Sequence, residues 1–171
     1  MDYPAKLVMG IITADDCNET EVFKTITKRF GTIDIKSDTM VFDVTDYYVV
    51  EMGEKLKRQW ISFDSLVSQD TLSEIKLETI KMEDSFKRAD GTRTVNLDPG
   101  YATMHNFVLA STKGYSHRVY LDKGIYAELT FVCKKKRFHS LPWTYFDYRD
   151  NIAFFDSIRI KFKSQITSPE D

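Results

Sequence analysis

The stretch Thr92–Pro142, TRTVNLDPGYATMHNFVLASTKGYSHRVYLDKGIYAELTFVCKKKRFHSLP, decides how the chain folds. All three histidines lie inside it, with an Asp-Pro-Gly turn signal and the most regular alternation of the sequence. From Ile125 onward, Ile125, Ala127, Leu129, Phe131 and Cys133 share one face, and Tyr126, Glu128, Thr130 and Val132 the other. That is the period of a half-buried strand. The preceding run, His117 to Leu121, returns through Asp122-Lys123-Gly124. A three-residue loop with glycine in the left-handed position is a favoured hairpin connection, whereas a two-residue Lys-Gly loop forces Lys123 to positive φ. The three-residue register pairs Leu121 with Ile125, Tyr120 with Tyr126 and Arg118 with Glu128. The two tyrosines and the ion pair then share a face, and His117, Val119 and Leu121 lie on the apolar one. In that register Glu128 is the cross-strand partner of Arg118. A four-residue loop would instead set His117 opposite Glu128, as a proton-transfer or metal pair.

Upstream, Val95 and Leu97 point one way and Asn96 and Asp98 the other. Pro99-Gly100 then reads as a type II turn, proline fixing φ at the first corner and glycine accepting positive φ at the second. The spacing of Met104, Phe107, Val108 and Ser111 predicts a short helix stopped by Gly114. Asn96 and Asp98 would thus sit at a strand end beside a helix N-terminus, a place receptive to an anion; the alternative is that Asp98 only caps the turn or the helix.

Working outward to the N-terminus, Lys6 to Thr13 reads as a buried strand. Asp15, Asp16 or Asn18 caps a helix with Val22, Phe23, Ile26 and Phe30 on one stripe, stopped by Gly31. The chain is extended again from Ile33, and Met40–Tyr48 begins as a strand and ends polar and aromatic. Asp43 and Asp46, beside Tyr47 and Tyr48, would bind a metal or polar ligand, unless Asp46 or Thr45 simply caps the next helix. Val49 to Leu66 has Met52, Leu56, Trp60 and Phe63 spaced for one face of a helix. Its charged residues, Lys55 and Arg58 among them, read as a solvated side or, alternatively, as inward-facing ligands of an anion. Thr71 to Glu74 forms a capping box before a second long helix with Leu72, Ile75, Thr79, Met82 and Phe86.

Toward the C-terminus, Lys134–Arg137 reads as a solvated basic turn. Trp143 to Arg149 is dense in aromatic and charged residues, suited to a pocket, an interface or a braced loop. Residues 151–165 form an amphipathic helix, and residues 167–171 a loose tail.

With 171 residues the chain reads as one domain, long enough to bury roughly 70% of its unfolded surface. Lys and Arg total 24 against 26 acidic residues, so no general pull toward nucleic acid or anionic lipid is expected. No apolar run approaches a membrane span and no signal peptide is evident, which together imply a cytoplasmic protein. Two isolated cysteines suggest neither a zinc site nor a disulfide framework. The expected architecture is α+β: a mixed sheet of about five strands with helices packed on it, or alternatively a ferredoxin-like arrangement.

The runs Phe42-Asp43-Val44-Thr45-Asp46-Tyr47-Tyr48, Asn96-Leu97-Asp98-Pro99-Gly100-Tyr101, His117-Arg118-Val119-Tyr120, Gly124-Ile125-Tyr126-Ala127-Glu128 and Leu141-Pro142-Trp143-Thr144-Tyr145 together resemble a bacterial family known only as a domain of unknown function. The resemblance covers nearly the whole chain. Members are sometimes labelled GTP-binding proteins, but this sequence has no G-x-x-x-x-G-K-[ST] loop to cradle phosphates. It also departs from the family's Pro-Trp-Thr-Tyr-Pro pattern, with Phe146 in place of the last proline.

The residues themselves suggest an enzyme or binding protein for a small anionic ligand, such as a nucleotide or phosphoester. Asp98, His117 and Glu128 are the candidate catalytic residues, and a divalent metal would be the assisting cofactor. Asp43, Asp46, Tyr47, Asn96, Tyr120, Tyr126 and Trp143 are the candidate ligand contacts. The alternative is a non-catalytic interaction module using an exposed aromatic face. RNA binding is a third possibility that lacks the basic face it needs.

Overall fold

The computed structural model describes residues 3–167. Its elements are β1 (Pro4–Thr13), α1 (Glu19–Phe30), β2 (Ile33–Lys36), β3 (Met40–Val41), α2 (Val49–Met52), β4 (Lys57–Ser68), α3 (Leu72–Ser85), β5 (Val95–Ala102), β6 (Asn106–Ser111), β7 (Arg118–Asp122), β8 (Ile125–Lys134), β9 (Arg137–Ser140), α4 (Phe146–Asp150) and α5 (Ile152–Thr167). Of the tail expected over residues 167–171, Thr167 closes α5 and the rest lies outside the described residues.

The class is α+β, but the sheet has nine strands in the order β2-β4-β1-β5-β6-β8-β7, with β3 on β4 and β9 on β8. Every pairing among the described residues is antiparallel, so the mixed sheet of about five strands is corrected. Within it, β1-α1-β2-β4-α3-β5 has strand order β2-β4-β1-β5, the split β-α-β pattern of a ferredoxin-like unit. The hairpin strands β6 to β9 widen that unit beyond β5.

Two strands hidden in expected helices account for part of the miscount. The segment Val49–Leu66, expected to be helical, holds only the single turn of α2 before β4 begins. In β4, Trp60 packs on one face while Ile61 and Phe63 pack on the other. A strand buried on both faces loses its alternation, and its apolar residues fell by coincidence on a helical spacing. The expected helix from Met104 is likewise β6, where Phe107 and Leu109 face one layer and Val108 and Ala110 the other.

One core lies between the sheet and α1 and α3, built on Leu7, Met9, Ile11, Val22, Ile26, Ile61, Phe63 and Leu97. On the opposite face Trp60, Phe107, Phe131, Tyr148, Phe155 and Ile158 pack beneath α4 and α5. β8 contributes to both. Its pairing with β6 shifts between Phe107 and Val108, which leaves Thr130 as a bulge. Ile125, Ala127 and Leu129 therefore pack with Leu72 of the α3 layer, whereas Phe131 and Cys133 join the α5 layer. The single apolar face expected for this strand is thus two half-faces.

The β7–β8 register holds as read at Arg118–Glu128 and Tyr120–Tyr126, but it closes as Asp122–Ile125 rather than Leu121–Ile125. The loop is the two-residue Lys123-Gly124, with φ of 52° and 80°. Asp122 Oδ1 accepts from the Lys123 amide at 2.8 Å, which supports the strained lysine. Because β7 is an edge strand, Val119 and Leu121 are exposed instead of apolar-face residues. Asn18 caps α1, accepting from the Glu21 amide at 3.3 Å. The capping box at Thr71 is not formed: its hydroxyl donates to the Ser68 carbonyl, inside a short turn preceding α3.

A candidate ligand cleft between splayed strands

β5 runs straight through Asp98-Pro99-Gly100, which is not a turn. Its pairing with β1 spans Val95 to Ala102, but its pairing with β6 covers only Gly100 to Ala102. Proline has no N–H to give a ladder, and the β5–β6 ladder ends beside Pro99. At the closed end the strands are so near that a Cβ on Gly100 would lie 2.5 Å from the Val108 carbonyl oxygen. At the open end, α3 completes the backbone instead. Glu83 accepts from the Leu97 amide at 2.6 Å, and Lys76 donates to the Leu97 carbonyl at 2.7 Å. The strands diverge from there into a cleft of about 760 Å³. That is within the ~300–1,000 Å³ typical of small-molecule sites.

The floor is held by Arg58, which is buried. Its Nε and Nη2 donate to Asp147 Oδ2, each at 2.8 Å, and the guanidinium lies over Phe42, Trp60 and Tyr148. Nearby on β1, Gly10 has no side chain because a Cβ there would meet the Tyr148 hydroxyl at 2.7 Å and Arg58 Nη1 at 3.0 Å. Arg58 Nη1 stands 3.6 Å from Asp98 Oδ2 and has no hydrogen-bond partner among the described residues. Asp98 in turn accepts from Asn96 Nδ2 at 2.7 Å and lies 3.7 Å from Lys76 Nζ.

One wall carries Arg93, which donates to both oxygens of Glu51 at 2.8 and 2.7 Å and reaches Glu83 at 3.3 Å. Those bonds hold Glu51 below the usual carboxylate range, while burial pushes Glu83 above it. Burial likewise raises the Tyr48 and Tyr145 hydroxyls that line the cleft, so both stay protonated donors at neutral pH. At the mouth, Lys113 meets the hydroxyl and the ring face of Tyr47. Among the described residues, Lys113 is the one cation of the cleft with no carboxylate partner.

The other wall is the β7–β8 hairpin. Glu128 Oε2 accepts from Arg118 Nε at 2.7 Å and lies 3.1 Å from His117 Nε2. Glu128 is thus the cross-strand partner of Arg118, and the four-residue loop that would set His117 opposite it is not formed; His117 precedes β7, off the ladder, and reaches the same carboxylate oxygen from there. The imidazole is stacked between Tyr115 and Trp143, at centroid distances of 6.0 and 5.3 Å. Trp143 is fixed by its indole N–H, which donates to the Leu129 carbonyl at 2.7 Å.

Of the candidate residues, Asn96, Asp98, Glu128 and Tyr47 line the cleft and His117 backs it. Asp43 and Asp46 are exposed outside it, and Thr45 caps the turn at Asp46–Tyr48 by accepting from the Tyr47 amide. Tyr120 and Tyr126 pack edge to face with each other, 5.4 Å apart and outside the cleft. Trp143 contributes only through His117. The pattern of the sequence gave no sign of Lys76, Arg93 or Lys113 as cleft residues, offered Tyr145 and Asp147 only within a segment suited to a pocket, an interface or a braced loop, and made an inward Arg58 the lesser alternative. Among the described residues, no group of three or more His, Cys, Asp or Glu side chains is placed to hold a metal ion. None of the described helices is long and apolar enough to cross a membrane.

Neither a curated protein nor a solved structure matches this chain. A family model described as a domain of unknown function, DUF4416, matches residues 3–162, which span both walls of the cleft and its floor. The chain belongs to the DUF4416 family.

Proposed function

We propose that the protein binds a small anionic ligand, of nucleotide or phosphoester dimensions, in the cleft between β5 and β6. The observation that carries this reading is Lys113. The other cleft cations are each matched to a carboxylate, whereas Lys113 sits at the mouth among tyrosine rings with only Tyr47 as partner. An anion arriving there gains a charge-assisted bond without displacing an internal ion pair. Lys113 lies on the Tyr47 ring, and His117 and Arg118 on the Tyr115 ring, so these tyrosines hold the charged groups in place at the mouth.

Isothermal titration of the full chain with inorganic phosphate and a series of nucleoside monophosphates tests the reading. Lys113→Ala is expected to weaken binding by about tenfold or more, the worth of one hydrogen bond to a charged group, with an unchanged melting temperature. Absence of binding by every probe, or equal binding by the variant, would overturn it.

A catalytic extension places Glu128 as proton acceptor, with His117 as the group behind it and Asp98 across the cleft. A non-catalytic interaction role has one observation in its favour, the edge strand β7, which leaves Val119, Tyr120 and Leu121 exposed.

A further inference from the structure

Of the three side-chain atoms of cleft-lining residues that are buried without a hydrogen-bond partner among the described residues, Tyr148 Oη can donate or accept, and the two charged ones are Arg58 Nη1 and Glu128 Oε1. Their residues are 4% and 1% exposed, and both line the cleft. Buried polar atoms are nearly always paired, because leaving one unmatched forfeits its hydration with nothing in return. The rest of each group is tightly held. Arg58 is clamped by Asp147, and Glu128 Oε2 by Arg118 and His117. Neither group turns its unmatched atom toward another partner without breaking those bonds.

The two atoms have opposite needs. Arg58 Nη1 is a donor seeking an acceptor, and Glu128 Oε1 is an acceptor seeking a donor. A bare anion meets the first need and opposes the second, since it brings negative charge toward a carboxylate. We infer that the ligand is a hydroxyl- or amine-bearing anion, of the sugar phosphate or nucleotide kind, whose hydrogen-bond donor is recognised by Glu128 Oε1. This rests on the anion-binding reading of the same cleft. Lys113 draws the anionic group to the mouth. A hydroxyl or N–H of the ligand reaches Glu128, and a ligand oxygen accepts from Arg58.

The composition of the cleft fits this bipolar chemistry. Its lining holds the cations Arg58, Lys76, Lys87, Arg93, Lys113 and Arg118 together with as many carboxylates: Glu51, Glu83, Asp84, Asp98, Glu128 and Asp147. A site built only for anions would carry an excess of cations. This one selects a ligand that offers donors as well as acceptors. Sites that hydrogen-bond a ligand hydroxyl discriminate strongly against analogues lacking it, because the site's own buried group is then left unpaired.

The experiment compares ribose 5-phosphate with ethyl phosphate, which has the phosphate but no sugar hydroxyl, by isothermal titration of the full chain. Ribose 5-phosphate is expected to bind at least about tenfold tighter. Glu128→Gln is expected to remove most of that preference, with ethyl phosphate binding as tightly as before or more tightly because the carboxylate that opposed it has lost its charge. Equal affinity of the two probes for the unaltered chain would overturn the inference and leave the anion site standing. Failure of both to bind would remove the site and the inference together. The unaltered chain alone gives the first comparison, so a variant that fails to fold does not shield the inference.

Discussion

The two ends of β5 show opposite solutions to the same problem. At Gly100–Ala102 the backbone is completed by a neighbouring strand, at a separation that excludes even a methyl group. Only a few residues earlier, the Leu97 peptide is completed by an acid and a lysine reaching from a helix. The closed end is rigid because backbone meets backbone. The open end is a cleft because side chains have replaced a strand, leaving room beside them. A cleft in a sheet therefore does not need a missing strand, only a residue such as Pro99 that cannot continue the ladder and a helix equipped to satisfy what is left.

The largest expected effect breaks the closed end. Gly100→Ala places a Cβ against the Val108 carbonyl, and the backbone must shift. We expect a loss of about 3 kcal/mol, the upper range for overpacking, read as a lowered denaturant midpoint in chemical unfolding. A change below about 0.5 kcal/mol, the size of an ordinary surface substitution, would mean that the two strands are not held at this separation.

Next comes the open end. Glu83→Ala leaves the buried Leu97 amide unpaired and is expected to cost about 2 kcal/mol, whereas Glu83→Gln keeps an acceptor and costs less. If the two variants lose equal stability, the bond to Leu97 is not what Glu83 provides.

The same residue sets a pH dependence. Burial raises the Glu83 carboxyl above its ordinary value, so the folded state holds its proton more tightly than the unfolded chain. Its contribution to stability is complete below the unfolded value and declines as pH rises through the raised folded value. The melting temperature of Glu83→Gln relative to the parent should therefore climb between acid and neutral pH. A flat difference would show that the group titrates alike in both states.

The smallest effect sharpens a parallel contrast between the two hairpin tips. The β7–β8 tip places Gly124 at its second left-handed position, while the β8–β9 tip places Lys136 there, at a φ of 66°. Lys136→Gly relieves that conformation and is expected to stabilise by about 0.5–1 kcal/mol, measured by thermal or chemical unfolding. A neutral or negative result would indicate that the added freedom of the unfolded chain outweighs the strain.

Legibility in the sequence tracked how much of each element is half-exposed. The β7–β8 hairpin was legible at Tyr120–Tyr126 and Arg118–Glu128 because its alternation is intact, and α1 because its apolar stripe and Asn18 cap are local. β4 and β6 were illegible for the opposite reason: Trp60, Ile61 and Phe63, like Phe107 to Ala110, are buried on both faces and carry no period. The Asp98-Pro99-Gly100 signal was real but misassigned, since it ends a ladder rather than reversing the chain. For the cleft, strand faces put Asn96, Asp98 and Glu128 among the candidates, and all three line it. Arg58 was set on the wet side of a helix that does not exist, and Lys76 and Lys113 had no local signature. Their roles depend on a gap formed by residues far away along the chain.

The bulge at Thr130 makes β8 a strand that changes allegiance midway, its first half serving one layer and its second half the other. The bulge, more than any one side chain, is what turns Phe131 and Cys133 toward α5. If Thr130 were taken into the ladder as a regular strand residue at the same length, both would return to the face of Leu129 and an aromatic ring would be lost from beneath α5.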